Sequence, residues 1–174
     1  MKRALRLGDA PVTVDADASR SLLDVLRAEL GVRSASKACA DGTCGACRVL
    51  LDGKLTASCL VSWGDISEGA QVETYETLSS DPAAARAVEA FASERPTRCR
   101  MCVGALGVTA VSIARSELPR ADAIDAALEQ ATCMCTGRGS WRRRPTPGWP
   151  LPWAGAPHDV HGLAAASPAG AASP

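Results

Sequence analysis

The stretch CADGTCGACRVLLDGKLTASC, residues 39–59, decides how this chain is read. Its cysteines, Cys39, Cys44, Cys47 and Cys59, are spaced C-x4-C-x2-C-x11-C. Gly42 and Gly45 lie among the first three. Lacking a Cβ, they can take positive φ and let the backbone curl around a small anion. Backbone N–H groups in such a curl can point at sulfur atoms. Behind the loop, Arg48-Val-Leu-Leu51, Asp52-Gly53 and Lys54-Leu-Thr-Ala57 have the form of a β-hairpin closed by an Asp-Gly turn. The fourth cysteine stands alone beyond it.

The chain has eight cysteines in all. Cys99, Cys102, Cys133 and Cys135 form a second group, C-x2-C-x30-C-x-C. The opening MKRALRLGDAPVTVDAD has no apolar core behind its positive charges, so the expectation is a cytoplasmic protein without a secretory signal. Thiols stay reduced there, which argues against a disulfide framework and for two four-thiolate sites. Zinc, iron–sulfur clusters and buried inert thiols are the competing readings. Zinc ribbons pair two short C-x2-4-C knuckles, whereas the first group packs three cysteines into a single loop. Its order of gaps is the known plant-type pattern of a [2Fe–2S] cluster. Zinc stays open for both groups, and more so for the second. Cys99 and Cys102 are three apart at the head of an apolar run with helical period, so both can face one side of a first turn. A helix N-terminus there favours thiolate. Cys133 and Cys135 are two apart and fit a loop.

Outward from these groups, residues 3–8 and 11–16 alternate as two short strands around Gly8-Asp9-Ala10-Pro11. Ser19 or Ser21 can cap a helix with Leu22, Leu23, Leu26 and Leu30 on one face, and Gly31 stops it. A further strand is expected around residues 71–75. Strands around one helix make residues 1–78 a small α+β domain. Helices are then expected at 83–92, 99–117 and 121–131, so residues 79–138 form an all-α second domain. Residues 139–174 hold seven of the eleven prolines, three of the four tryptophans and the run Arg142-Arg143-Arg144. With no hydrophobic period, they read as a largely disordered tail.

Other functions are excluded by what is missing. Nineteen basic and nineteen acidic side chains give a formal net charge of zero, which argues against nucleic-acid or anionic-membrane partners. The longest mostly apolar stretch, residues 103–111, is too short to span a bilayer. No G-x-G-x-x-G follows a strand, there is no P-loop, and no Ser/His/Asp set assembles outside the tail. His158 and His161 read as solvated, Met101 and Met134 as apolar shielding between cysteines, and Trp63 as packing. No catalytic residue and no substrate site is visible on this chain.

The segments LLDVLRAELGV, CADGTCGACRVLLDGKLTASCL and CRMC…CMCTGR resemble the small iron–sulfur subunit of the molybdenum hydroxylases, the family of xanthine oxidase, aldehyde oxidase and carbon monoxide dehydrogenase. The resemblance covers residues 1 to about 138. It implies a ferredoxin-like β-grasp domain followed by a helical bundle, each holding one [2Fe–2S] cluster. Cys39, Cys44, Cys47 and Cys59 would ligate the first, Cys99, Cys102, Cys133 and Cys135 the second, with Gly42 and Gly45 in the cluster loop. It also implies a large partner subunit with the molybdenum cofactor and a flavin (FAD) subunit, with electrons passing from one to the other through both clusters. Where the family has Gln-Cys-Gly-Phe-Cys-Thr-Pro-Gly, this chain has Arg98-Cys99-Arg100-Met101-Cys102-Val103-Gly104-Ala105. Arg98 thus occupies the position of the pterin-side contact with a side chain that only donates hydrogen bonds. Arg100 adds a positive charge beside the second cluster. The amphipathic helix that usually closes the bundle is replaced by CTGRGSWRRRPTPGWP.

Overall fold

The computed structural model describes residues 1–39, 41–82, 84–85 and 100–116. Five strands form one sheet: β1 (Lys2–Leu7), β2 (Ala10–Asp15), β3 (Arg48–Leu51), β4 (Lys54–Ala57) and β5 (Gln71–Glu73), in the order β2-β1-β5-β3-β4. β1 runs parallel to β5, and the other neighbours are antiparallel. The β3–β4 turn is the expected Asp-Gly hairpin. Asp52 and Gly53 both have positive φ, 49° and 75°, as the right-handed twist of the flanking strands requires. Asp52 also accepts the Gln71 N–H at 2.8 Å, tying the hairpin to β5.

Helix α1 (Leu22–Ala28) lies on one face of the sheet. Ser21 caps it by accepting the Asp24 N–H at 3.1 Å and donating to the Asp24 carboxylate at 2.8 Å. Leu22, Leu23 and Leu26 are buried as expected, and so is Val25. Leu5, Val14, Val49, Val72, Ile66 and Trp63 complete this core. Trp63 is fully buried and donates its indole N–H to the Met1 carbonyl at 3.0 Å, which satisfies its one polar atom.

The other face of the sheet is covered by two further helices. Strand β5 ends at Glu73, two residues short of the expected strand, because Thr74 starts α2 (Tyr75–Ser80). The Thr74 N–H donates to Thr77 Oγ1 at 2.9 Å, and the Thr77 hydroxyl donates to the Thr74 carbonyl at 3.0 Å, local bonds that a strand would forgo. Helix α3 (Val103–Ala114) follows a single 3-10 turn, Arg100–Cys102. The expected helix over 99–117 is therefore shorter, and Cys102 stands at its N-cap. Through Thr109 nearly every residue of α3 is buried, the signature of a helix apolar all round. Leu50 of β3, Leu78 of α2, Ala84, Val108 and Val111 form a second core. Residues from both sides of the expected boundary near 78–81 share it. No described helix is long and apolar enough to cross a membrane. The expected helix over 121–131, most of that over 83–92, and the tail 139–174 lie outside the described residues.

Candidate metal centre

The approach to Cys39 is held from several sides. Gly31, with φ 68°, turns the chain out of α1, and the Val32 N–H returns to the Leu26 carbonyl at 2.9 Å. Arg27 Nη1 donates to the Ala35 carbonyl at 2.6 Å. The Ser36 N–H donates to the Ala46 carbonyl at 2.9 Å, joining the approach to the far side of the cysteine loop. One carboxylate oxygen of Glu76, on α2, accepts the N–H groups of Arg33 and Ser34 at 2.9 and 2.8 Å.

Burial pushes the Glu76 carboxyl up, but donation from the Ser34 hydroxyl and from the Ser34 and Arg33 backbones outweighs it and holds the group below the usual carboxylate range. A depressed folded pKa means stabilisation that is complete above the unfolded value and lost as pH falls through the folded one. Glu76→Gln should therefore cost about 1 kcal/mol near neutral pH, a charge-assisted interaction discounted for solvent exposure. In denaturant unfolding the gap between variant and native should close in acid. A gap of constant size across pH would show that the charge plays no part.

Within the loop, Gly42 and Gly45 have φ 78° and 70°, as their sequence positions require. Asp41 Oδ1 accepts the Thr43 N–H at 3.1 Å and its hydroxyl at 2.8 Å. Sulfur contacts link the four cysteines of the first group in two sets. The Cys44 N–H points at Cys39 Sγ at 3.5 Å, and the Ala46 N–H at Cys44 Sγ at 3.4 Å. Cys47 Sγ and Cys59 Sγ are 3.4 Å apart. Strand pairing sets this second contact: Cys47 precedes β3, and the 3-10 turn Ser58–Leu60 carries Cys59 just beyond β4. Ser58 fixes the junction, its hydroxyl donating to the Cys47 carbonyl at 2.6 Å.

This donor set, with backbone N–H groups aimed at Cys39 Sγ and Cys44 Sγ and with Cys47 Sγ beside Cys59 Sγ, fits a [2Fe–2S] centre. None of the four thiols is in a disulfide. The Cys44 N–H lowers the Cys39 pKa, whereas burial raises that of Cys44 and pushes Cys59 up to about 12. Bare thiolates at Cys44 and Cys59 are thus costly, and a bound cation offsets that cost.

Gly42 also fits the loop sterically. A Cβ there would overlap Leu60 Cδ1. Leu60 is 62% exposed and its side chain can swing away, so the left-handed backbone is the larger penalty. Gly42→Ala should cost about 1–2 kcal/mol and reduce iron retention by the first group. Native stability with full iron would contradict this role.

Of the second group, Cys102 lies at the α3 N-cap, partly buried. Cys99, Cys133, Cys135 and Arg98 lie outside the described residues. Met101, expected to shield a cluster, is 50% exposed. Sequence reasoning missed how α3 reaches the first domain. A Cβ on Gly104 would lie 2.5 Å from Ser34 Cβ and 2.9 Å from the Ser34 carbonyl oxygen, and one on Gly107 would lie 2.7 Å from the Tyr75 ring. At the other end, Arg115 Nη1 contacts both Glu73 carboxylate oxygens, at 2.9 and 3.0 Å. Glycines spaced i, i+3 on an apolar helix were the available signal.

A family described as 2Fe-2S iron-sulfur cluster binding domain matches residues 5–79. The chain is 32% identical over 126 residues to the nicotine 6-hydroxylase small subunit of Paenarthrobacter nicotinovorans, covering 72% of this chain and 75% of that one. It is 31% identical over 124 residues to the aldehyde oxidoreductase of Megalodesulfovibrio gigas, covering 70% of this chain but spanning only 14% of that much longer protein. In the crystal structure of quinoline 2-oxidoreductase from Pseudomonas putida 86, one chain superposes with a TM-score of 0.69 at 25% identity, over 86% of this chain and 92% of that one.

Proposed function

Since the chain belongs to the family of small iron–sulfur subunits of the molybdenum hydroxylases, we propose that it relays single electrons through two [2Fe–2S] clusters, from a large molybdenum-cofactor subunit to a flavin or other acceptor. Cys39, Cys44, Cys47 and Cys59 hold the first cluster, and Cys99, Cys102, Cys133 and Cys135 the second. The observation that carries this reading is the approach of Cys47 Sγ to Cys59 Sγ at 3.4 Å, with the Cys44 N–H aimed at Cys39 Sγ in the same loop.

A [2Fe–2S] cluster, when bound, accepts and returns one electron at a time. The chain's own part is to ligate, orient and shield. The positive-φ glycines bend the loop so that its N–H groups face sulfur, which stabilises added negative charge. The core beneath Cys47 keeps water from one side. Residues 1–78 make the β-grasp domain and 79–138 the helical one, with α3 as the element that docks the second on the first. No substrate contact is assigned to this chain; oxidation takes place on the larger subunit.

Iron and acid-labile sulfide, assayed per chain on anaerobically purified protein and read with EPR after dithionite reduction, test the reading. Iron and sulfide equal to two clusters, with two distinguishable signals, is the expected result. One cluster's worth would confine the relay to the first domain. Zinc without sulfide would overturn electron transfer in favour of a structural two-zinc module.

A further inference from the structure

Met1, Leu60 and Met101 are the large apolar side chains exposed among the described residues, and the last two adjoin candidate ligands, Cys59 and Cys102. Leu60 follows Cys59 in the 3-10 turn Ser58–Leu60. An exposed leucine needs no explanation by itself, but this one has a defined seat. A Cβ built on Gly42 would overlap Leu60 Cδ1 and stand 2.9 Å from its Cγ and 3.4 Å from its Cδ2. The leucine side chain therefore fills the place that Gly42, lacking a Cβ, leaves open. Gly42 lies between Cys39 and Cys44 in the chain. The contact thus joins the arc that bears those two cysteines to the turn that bears the fourth.

The cysteine loop is sealed unevenly. Cys47 is 2% exposed and belongs to the core beneath α1. Cys39, Cys44 and Cys59 are only partly buried, and Asp41 and Thr43, on either side of Gly42, are exposed and polar. The hydrogen bonds from Thr43 to Asp41 stiffen the arc from within. Leu60 reaches it from outside, from the Cys59 turn. With more than half of its surface already in water, Leu60 adds little to the stability of the whole domain. What it governs is local, namely how often the arc swings away from that turn. Each such opening admits water and chelating solutes to the loop's interior.

We propose that Leu60 is a positioning residue for the first cluster: its side chain pins the Gly42 arc to the turn that carries Cys59 and limits how often the cluster is open to solutes, without taking part in ligation. This inference rests on the reading of Cys39, Cys44, Cys47 and Cys59 as the ligands of one [2Fe–2S] cluster.

Anaerobic loss of the first cluster to excess EDTA, followed in the full chain by EPR on samples reduced with dithionite, tests it on native protein, Leu60→Ala and Leu60→Met. The signal absent from Cys47→Ser identifies the first cluster. Leu60→Ala removes the carbons that reach Gly42 and should speed the loss roughly two- to fivefold, as a contact made by part of a leucine side chain predicts. Leu60→Met, which keeps the reach, should stay near the native rate. The denaturant midpoint of the loaded proteins should hardly move, whereas a merely structural role would shift it in step with the rate. An unchanged rate in Leu60→Ala overturns the proposal, as does a Met variant as fast as the Ala variant, or a rate that tracks the midpoint. Leu60→Val is a second shortened variant; if neither it nor Leu60→Ala loads the first cluster, the leucine serves assembly and the proposal fails. Native protein without any [2Fe–2S] signal would instead refute the underlying reading.

Discussion

Cys47→Ser, purified anaerobically, should lack one cluster's iron and sulfide and unfold at a far lower denaturant concentration than native protein. Cys47 is 2% exposed and belongs to the core beneath α1, so packing alone also predicts some loss. Magnitudes separate the two causes. Serine is close to cysteine in volume, and such swaps in a core cost about 1–2 kcal/mol. Losing a ligand costs more, because metal binding in a site absent from the unfolded chain contributes directly to folding. Without the metal, the Cys59 thiol, pushed up to about 12 by burial and by Cys47, stays protonated, and Cys44 is disfavoured as thiolate in the same way. Several kcal/mol should therefore be lost. The internal control is native protein stripped by a chelator, whose unfolding midpoint should fall to that of the variant. Retention of all iron in Cys47→Ser, or a stripped native protein as stable as the loaded one, would refute the ligand assignment.

The parts of this site that were legible in the sequence are those fixed by chemistry within a few residues. The Asp52-Gly53 turn needs two positive φ angles, and few residue pairs supply them. Ser21 is followed by Asp24 and an apolar stripe, so the α1 cap reads directly. The glycines among the cysteines announce a tight curl, and the structure has one. What escaped the sequence depends on partners far along the chain. The Glu76 clamp on Arg33 and Ser34 joins residues more than forty apart. Helix α2 is only six residues long and shows no period, so its first residue reads from sequence as the end of a strand. The cover that α3 gives to the Leu50 face of β3 likewise comes from far along the chain, and strand alternation cannot identify that face as covered. The Arg98 position and three of the second group's cysteines lie outside the described residues, so the second site rests on spacing and resemblance, with Cys102 as its one described member.

Gly104→Val should loosen α3 from the first domain while leaving the first cluster in place. A Cβ at this position meets the backbone of Ser34, with the carbonyl oxygen at 2.9 Å and Cα at 3.0 Å, as well as its Cβ at 2.5 Å. Ser34 has little room to give, because Glu76 holds its N–H and hydroxyl from the α2 side. Overpacking of this kind costs about 1–3 kcal/mol. A better helix former recovers part of that: alanine gains up to about 1 kcal/mol over glycine in a helix interior, valine less. Gly104→Ala should thus be the milder change, and Gly104→Val should lower the unfolding temperature by roughly 5–10 °C. Gly107→Ala meets only the half-buried Tyr75 ring, which can shift, so its effect should be smaller still. Because α3 also presents Cys102, the functional consequence is specific. On the proposed two-cluster reading, the first cluster's EPR signal should persist in Gly104→Val while electron exchange between the clusters slows, as the spacing between them is no longer fixed. Native stability in Gly104→Val would show that α3 does not dock through this contact. Loss of the first cluster would show that Ser34 and the approach to Cys39 depend on α3 for their own structure.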